Sequence, residues 1–295
     1  MALIEDLRRR ILLLDGAMGT MLLSKGIKGC LELANVEQAD VVADIHRTYL
    51  QAGADIITTN TTCADALCLK QYGLQSRSRE LAKAGAEVAR RVADEFSTTL
   101  QPRYVAGSVG PTTRNLTLAN DIKAEELSAA YADVVGGLIE GGVDFILIET
   151  AMDAANVKIA IEECRKINSE IPIVVSAVLS RIEGRVASGA TISKFLEDIP
   201  LEEVSVVGFN CSNGVKTAEA SLKMLAAQSD KPIVFYPSVG QPMVAVNHFV
   251  KDMEALCRAG LLNIIGGCCG TTPAYIESMA KVAQRWRPRK TRKKN

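Results

Sequence analysis

Residues 143–179 read VDFILIETAMDAANVKIAIEECRKINSEIPIVVSAVL. An apolar run ends at Glu149 and Thr150, a stretch with apolar residues at helical spacing fills 153–167, and a second apolar run occupies 171–179. Two short runs rich in Val, Ile and Leu around one amphipathic helix are what parallel strands buried on both faces, joined by a crossover helix, require. The pattern extends in both directions. ILLLDG (11–16), ADIITTN (54–60) and RYVAGSVGP (103–111) precede this unit, and VSVVGFNC (204–211), KPIVFYPS (231–238) and LNIIGGCCG (262–270) follow it. Helical periodicity also marks 37–53, 78–96, 123–142, 217–228, 250–260 and 273–286, the last opening on Pro273 at a favoured first-turn position. Glycines in LQAGAD, IEGGVD and CRAGLL stand where helix C-caps return the chain to the next strand. Eight strand-like runs alternating with helices in 295 residues predict one α/β domain, a (β/α)8 TIM barrel over residues 1–286, with a doubly wound open sheet as the alternative. Residues 287–295 are expected to form a basic, frayed tail, the end of a segment from Arg285 that carries seven positive charges.

Composition excludes several classes of function. Lys and Arg total 34 and are matched by 34 Asp and Glu, so there is no net field to hold nucleic acid or a membrane surface. The amino terminus has no apolar run of the length that a signal peptide or membrane span needs, which points to a cytoplasmic protein. In that compartment the eight cysteines are not a disulfide framework, and they divide into buried small hydrophobes and reactive or metal-binding thiols.

Cys268 and Cys269 are adjacent, inside a glycine-rich turn that follows the eighth run. A disulfide between neighbours needs a strained ring, because ordinary geometry sets the two Cα atoms farther apart. Cys211 ends the sixth run, and in a barrel the carboxyl ends of strands six and eight flank the seventh at one mouth. Three thiolates with an open fourth position describe a catalytic zinc site. From the residues alone, an inert core role for Cys211 and a redox dithiol made by the vicinal pair stand beside that reading. The two histidines, His46 and His248, fall in helical segments and read as packing or surface residues.

DGAMGTML, GADIITTNT, GSVGPT, DFILIET, GFNCS and GGCCGTTP, in this order, resemble the motifs of the homocysteine S-methyltransferase family, most closely the amino-terminal homocysteine-binding domain of cobalamin-dependent methionine synthases. The likeness runs from about Ile11 to about Arg285. It implies a (β/α)8 barrel in which Zn²⁺, held at the positions of Cys211, Cys268 and Cys269, activates homocysteine as a thiolate, with methionine as product and no protein nucleophile. It also implies that Glu149 binds the substrate ammonium and that Asp15 and Gly16 line the opposite side of the mouth, although a strand-end aspartate can equally cap a helix. Backbone amides around Ser108 and Gly110 and along Thr59, Asn60 and Thr61 are expected to face the substrate carboxylate, and Asn210 is placed with the substrate-binding residues.

Two departures fall at the mouth. The family commonly reads ETNTF where this chain has TTNTT, with Thr58 and Thr62 replacing an acid and an aromatic residue, and PNAG where this chain has PSVG. Ser238 thus stands near the metal in place of an asparagine that can fill the open metal position, so a related thiol substrate or an altered resting metal geometry is an open expectation. With a single barrel in the sequence, the expected donor is methylcobalamin carried by a separate corrinoid protein. S-methylmethionine or another onium donor is the second expectation, and a non-catalytic zinc- or thiol-binding subunit the third.

Overall fold

The computed structural model describes residues 2–291 apart from 213 and 241. Eight parallel strands make one sheet: β1 (Leu12–Leu13), β2 (Ile56–Thr58), β3 (Tyr104–Val109), β4 (Phe145–Ala151), β5 (Ile173–Val178), β6 (Val206–Asn210), β7 (Ile233–Tyr236) and β8 (Ile264–Ile265). Their order is β1-β8-β7-β6-β5-β4-β3-β2, and the two ends meet. A parallel bridge pairs Leu14 with Ile56, the Asp15 amide donates to Ile56 O at 2.9 Å, and the Asp55 amide donates to Leu13 O at 2.7 Å. That closure makes the domain a TIM barrel and rules out the open sheet.

Side chains alternate in and out along each strand. Leu12, Ile56, Phe145, Leu147, Val174, Val206, Val234 and Ile264 point into the barrel, while Leu13, Ile57, Ile146, Val175, Val207, Phe235 and Ile265 pack against the helices. Leu3 and Leu7 of the helix Ala2–Arg9 join the interior cluster and plug the amino-terminal end of the barrel. Carried one step further, the alternation turns Ser108, Glu149, Ser176, Asn210 and Tyr236 inward near the carboxyl ends of β3 to β7, where all five are buried. A polar layer therefore caps an apolar stack at the end where barrels of this kind keep their sites. Between β6 and β7 the backbones lie so close at Gly208 that a Cβ there would fall 1.8 Å from Val234 O.

Helices occupy all seven periodic segments, and Gly53, Gly142 and Gly260 take positive φ where three of them end. The sequence pattern did not mark the helices Ala2–Arg9, Met18–Ser24 and Ile192–Asp198. The last has only seven residues, with Thr191 accepting from the Lys194 amide to start it, too short for its Ile192, Phe195 and Leu196 face to stand out. The described part of the basic tail is not frayed: the Arg289 guanidinium donates to the carbonyls of Ala226, Ser229 and Lys231, and its amide donates to Leu262 O. The expected tail beyond Thr291 lies outside the described residues. No helix among the described residues is long and apolar enough to cross a membrane.

Candidate metal centre

β6 ends at Asn210, and Cys211 follows with φ 55°, in the left-handed region that a residue with a side chain rarely enters. Its amide is held by Tyr236 O at 3.3 Å, across the gap to β7. The Cys268–Cys269 turn is fastened to the same place. The Cys268 amide donates to Pro237 O at 3.0 Å, the Val239 amide to Cys269 O at 3.1 Å, and the Thr271 hydroxyl closes the turn onto Cys268 O at 2.7 Å. The three sulfurs consequently converge: Cys211 Sγ lies 2.7 Å from Cys268 Sγ and 3.9 Å from Cys269 Sγ, and the vicinal pair is 3.9 Å apart.

These residues fit a thiolate-bound tetrahedral ion. Metal–sulfur bonds of about 2.3 Å put neighbouring sulfurs about 3.8 Å apart, close to two of the three separations. The Cys211–Cys268 pair sits closer than that but is not bonded, and all three are free thiols. An all-sulfur donor set suits zinc far better than magnesium or calcium. Protons are shared unequally within the trio: hydrogen bonds from Cys211 and Cys268 hold the Cys269 thiol well below its usual range, and the same sharing pushes Cys268 up.

Beneath the sulfurs a cavity of about 500 Å³ opens to the mouth. Asp15, Gly16, Thr59, Asn60 and Glu149 line it with the three cysteines, and Ala17, Met18, Leu23 and Leu31 supply its apolar side. Glu149, inward on β4, accepts from Ser108 Oγ at 2.5 Å and from Tyr236 Oη at 3.0 Å. Asp15 accepts from the Thr58 amide at 2.8 Å and the Thr58 hydroxyl at 2.9 Å, so it does not cap a helix. Ser108, Thr61 and Asn210 stand behind the cavity wall, at 0–1% exposure. The amides expected to face a substrate carboxylate are already engaged: Thr59 N by Ala106 O, Thr61 N by Thr59 O, Gly110 N by Thr62 O and Ser108 N by Thr59 Oγ1. These four donors are committed inside the wall, while Asn60 remains in the cavity lining.

The family model for homocysteine S-methyltransferases matches residues 12–283, a span that holds the three cysteines, Asp15 and Glu149. The chain belongs to the homocysteine S-methyltransferase family. It is a methyltransferase of that family, and the metallated form of the homocysteine methyltransferase MmuM from Escherichia coli is 25% identical, with 95% of this chain and 98% of that chain covered and a TM-score of 0.78. The apo form of MmuM, also 25% identical, covers 93% of this chain and 97% of its own, at a TM-score of 0.73. The carboxyl transferase domain of Rhizobium etli pyruvate carboxylase with 3-hydroxypyruvate, 13% identical, covers 95% of this chain and 48% of its own at 0.55, and shares the fold alone.

Within the family, the departures at this mouth take up defined contacts. Thr58 holds Asp15, Thr62 Oγ1 lies 2.9 Å from Ser108 Oγ and 3.5 Å from Glu149 Oε1, and the Ser238 side chain stands near enough to the Cys269 sulfur to help hold that thiol down. Burial raises both carboxyl groups, Asp15 to about 8, so each accepts a proton more readily than a solvated acid does. Tyr236, Ser176 and Thr150 were not singled out by the sequence motifs. The two-residue alternation that turns Val234 inward also turns Tyr236 inward, and would have found it. His46 is buried in the helix Ala39–Gln51 with both ring nitrogens unpartnered, and His248 is exposed, so neither approaches the sulfurs.

Proposed function

We propose that the protein methylates the thiol of homocysteine to give methionine, with Zn²⁺ held by Cys211, Cys268 and Cys269 and the methyl group supplied as methylcobalamin by a separate corrinoid protein. The observation that carries this reading is the convergence of three free thiols, from β6 and the β8 turn, over a cavity that is also lined by three buried carboxyl groups, Asp15, Glu32 and Glu149. Zn²⁺ bound there would lower the pKa of an incoming thiol, so that its sulfur is nucleophilic at neutral pH. The chain's own residues do the rest. Glu149, fixed by Ser108 and Tyr236, receives the substrate ammonium, and Asp15 offers a second carboxylate on the opposite wall. A buried carboxyl with a raised pKa ionises when a cation arrives, and so couples binding to charge pairing. The apolar wall of Ala17, Met18 and Leu31 packs the methylene stem and excludes water from the reacting sulfur.

The rim supports a protein-borne donor. Leu23, Tyr72, Leu118, Ile182 and Met243 are large exposed apolar residues on the segments that follow β1, β2, β3, β5 and β7, and Leu23 lines the cavity itself. Exposed apolar side chains on the connections that follow the strand ends favour a partner that docks at that end of the barrel. The cavity offers an onium ion one aromatic ring, Tyr236, and that ring's hydroxyl is committed to Glu149.

The test is zinc analysis of the wild type and of Cys211→Ala, followed by mass spectrometry for methionine from homocysteine with methylcobalamin, free or on a corrinoid protein, or with S-methylmethionine. One zinc per chain, lost in the variant, and methionine from the cobalamin donor are expected. A chain that holds no zinc would overturn the metal assignment, and turnover with S-methylmethionine alone would replace the donor.

A further inference from the structure

The strand ends that carry Glu149 and Cys211 are tied to each other by one side chain. Asn210 ends β6 pointing inward and is 0% exposed. Its Oδ1 accepts from the Thr150 amide at 2.9 Å and from Ser176 Oγ at 2.9 Å, while its Nδ2 donates to Thr150 Oγ1 at 2.8 Å and lies 4.0 Å from Cys268 Sγ. Thr150, immediately after Glu149, has φ 56°, and Cys211, immediately after Asn210, has φ 55°. A β-branched residue in the left-handed region persists only where its surroundings hold it there. The pairing of β4 with β5 shifts register between Ile148 and Ala151, so the Thr150 amide goes to Asn210 at a break in the ladder.

We propose that Asn210 is a positioning residue, whose amide clamps Thr150 in its strained turn and thereby sets the Glu149 carboxylate and the Cys211 thiol at a fixed separation. The inference rests on the reading of these two residues as ammonium and metal ligands. Asn210 does not line the cavity, and its only approach to the sulfur centre is the long Nδ2 contact to Cys268 Sγ at 4.0 Å; its shorter bonds go to Thr150 and Ser176 in the wall. It differs from a buried asparagine that merely satisfies itself, because each end of its amide makes a bond to Thr150, a β-branched residue whose backbone is otherwise unfavoured. The neighbours of that contact, Glu149 on one side and Cys211 on the other, face the same ligand.

A glycine at 150 would adopt φ 56° without a clamp. This gives a suppressor test that a purely structural role does not predict. Asn210→Ala should raise the KM for homocysteine at least tenfold with a smaller change in kcat, and should speed the loss of zinc to a chelator. Adding Thr150→Gly should return KM to within about threefold of wild type, while zinc retention stays impaired because the turn at Cys211 is not relieved. Thr150→Val, which keeps the branched shape but removes the hydroxyl that Asn210 bonds, should raise KM by itself, and it tests the clamp even if Asn210→Ala does not fold. A wild-type enzyme without zinc or without homocysteine turnover would sink the underlying reading and this inference with it. A wild type that has both, beside a folded Asn210→Ala or Thr150→Val with unchanged KM, would sink the inference alone.

Discussion

Tyr236 donates its phenol hydrogen to Glu149 Oε2 at 3.0 Å, spanning the barrel from β7 to β4 over the two strands between them. The contact aims a buried carboxyl group, which on the proposed reading would select an ammonium over a neutral group. Glu149→Gln keeps the shape and removes the charge. Losing one partner of a buried charge pair costs about 2–4 kcal/mol, so kcat/KM for homocysteine should fall roughly 30- to 700-fold. Tyr236→Phe removes one orienting bond and should cost about 1 kcal/mol, near fivefold. Steady-state kinetics on the two variants checks the order, and equal losses would contradict it.

Ser238 offers a milder perturbation of the proposed metal site. Its side chain helps hold down the Cys269 thiol, the lowest of the three. Groups that hydrogen-bond to metal ligands typically affect metal affinity by about 10- to 100-fold. Ser238→Ala should weaken zinc binding within that range without changing the number of ions bound, as a chelator competition would show. Ser238→Asn should restore a longer polar side chain and retain zinc at least as well as the wild type.

The fold was legible because burial on both faces of a parallel sheet writes itself as runs such as FILI and PIVV, and because helices such as Ser78–Phe96 are long enough to show their period. The meeting of the three cysteines was legible for a different reason: packing alone does not explain two adjacent thiols in a turn. The contacts of Asn210 were hidden, since a left-handed φ at Thr150 and at Cys211 has no signature in residues that are neither glycine nor asparagine. The engagement of the Thr59, Thr61, Ser108 and Gly110 amides was hidden on the same ground. Which donors are free depends on loop closure around Thr59 and Thr61, and no spacing in the sequence encodes it. The anchoring of Arg289 was masked by the charge run around it, where one guanidinium has three carbonyls to meet and its neighbours are indistinguishable by composition.

Asp15 makes stability depend on pH in a direction opposite to that of an ordinary paired acid. Burial lifts its carboxyl to about 8 in the folded chain, against about 3.9 when unfolded. Between those values the folded state holds the proton more tightly, so the stability from this group is full below about pH 4 and is lost as pH rises through about 8. Asp15→Asn keeps a partner for the Thr58 amide and hydroxyl but has nothing to ionise. The Tm of the variant minus that of the wild type, measured without substrate, should therefore grow from pH 5 to pH 8. Burial lowers His46 to about 3, which destabilises both proteins at acid pH and cancels in the difference. A difference that stays flat or shrinks would place the Asp15 charge elsewhere.

Gly208 and Leu7 separate damage to the site from damage to the barrel. Gly208 is in register with Val234, where β6 and β7 run so close that an added methyl would meet Val234 O at 1.8 Å. The carbonyl belongs to the backbone and cannot rotate away, so Gly208→Ala must push the two strands apart. Those strands end at Asn210 and Tyr236, one residue from Cys211 and within reach of Glu149. Overpacking of this kind costs about 1–3 kcal/mol, and here it should lower Tm, zinc retention and homocysteine affinity together. Leu7, fully buried in the plug at the other end, loses about 2–5 kcal/mol on truncation to alanine by leaving a cavity. Leu7→Ala should therefore lower Tm at least as much as Gly208→Ala, yet keep wild-type KM and zinc content in the folded enzyme. If the two variants lose zinc alike, the mouth is not insulated from the barrel floor, and the division between an apolar stack and a polar cap is wrong.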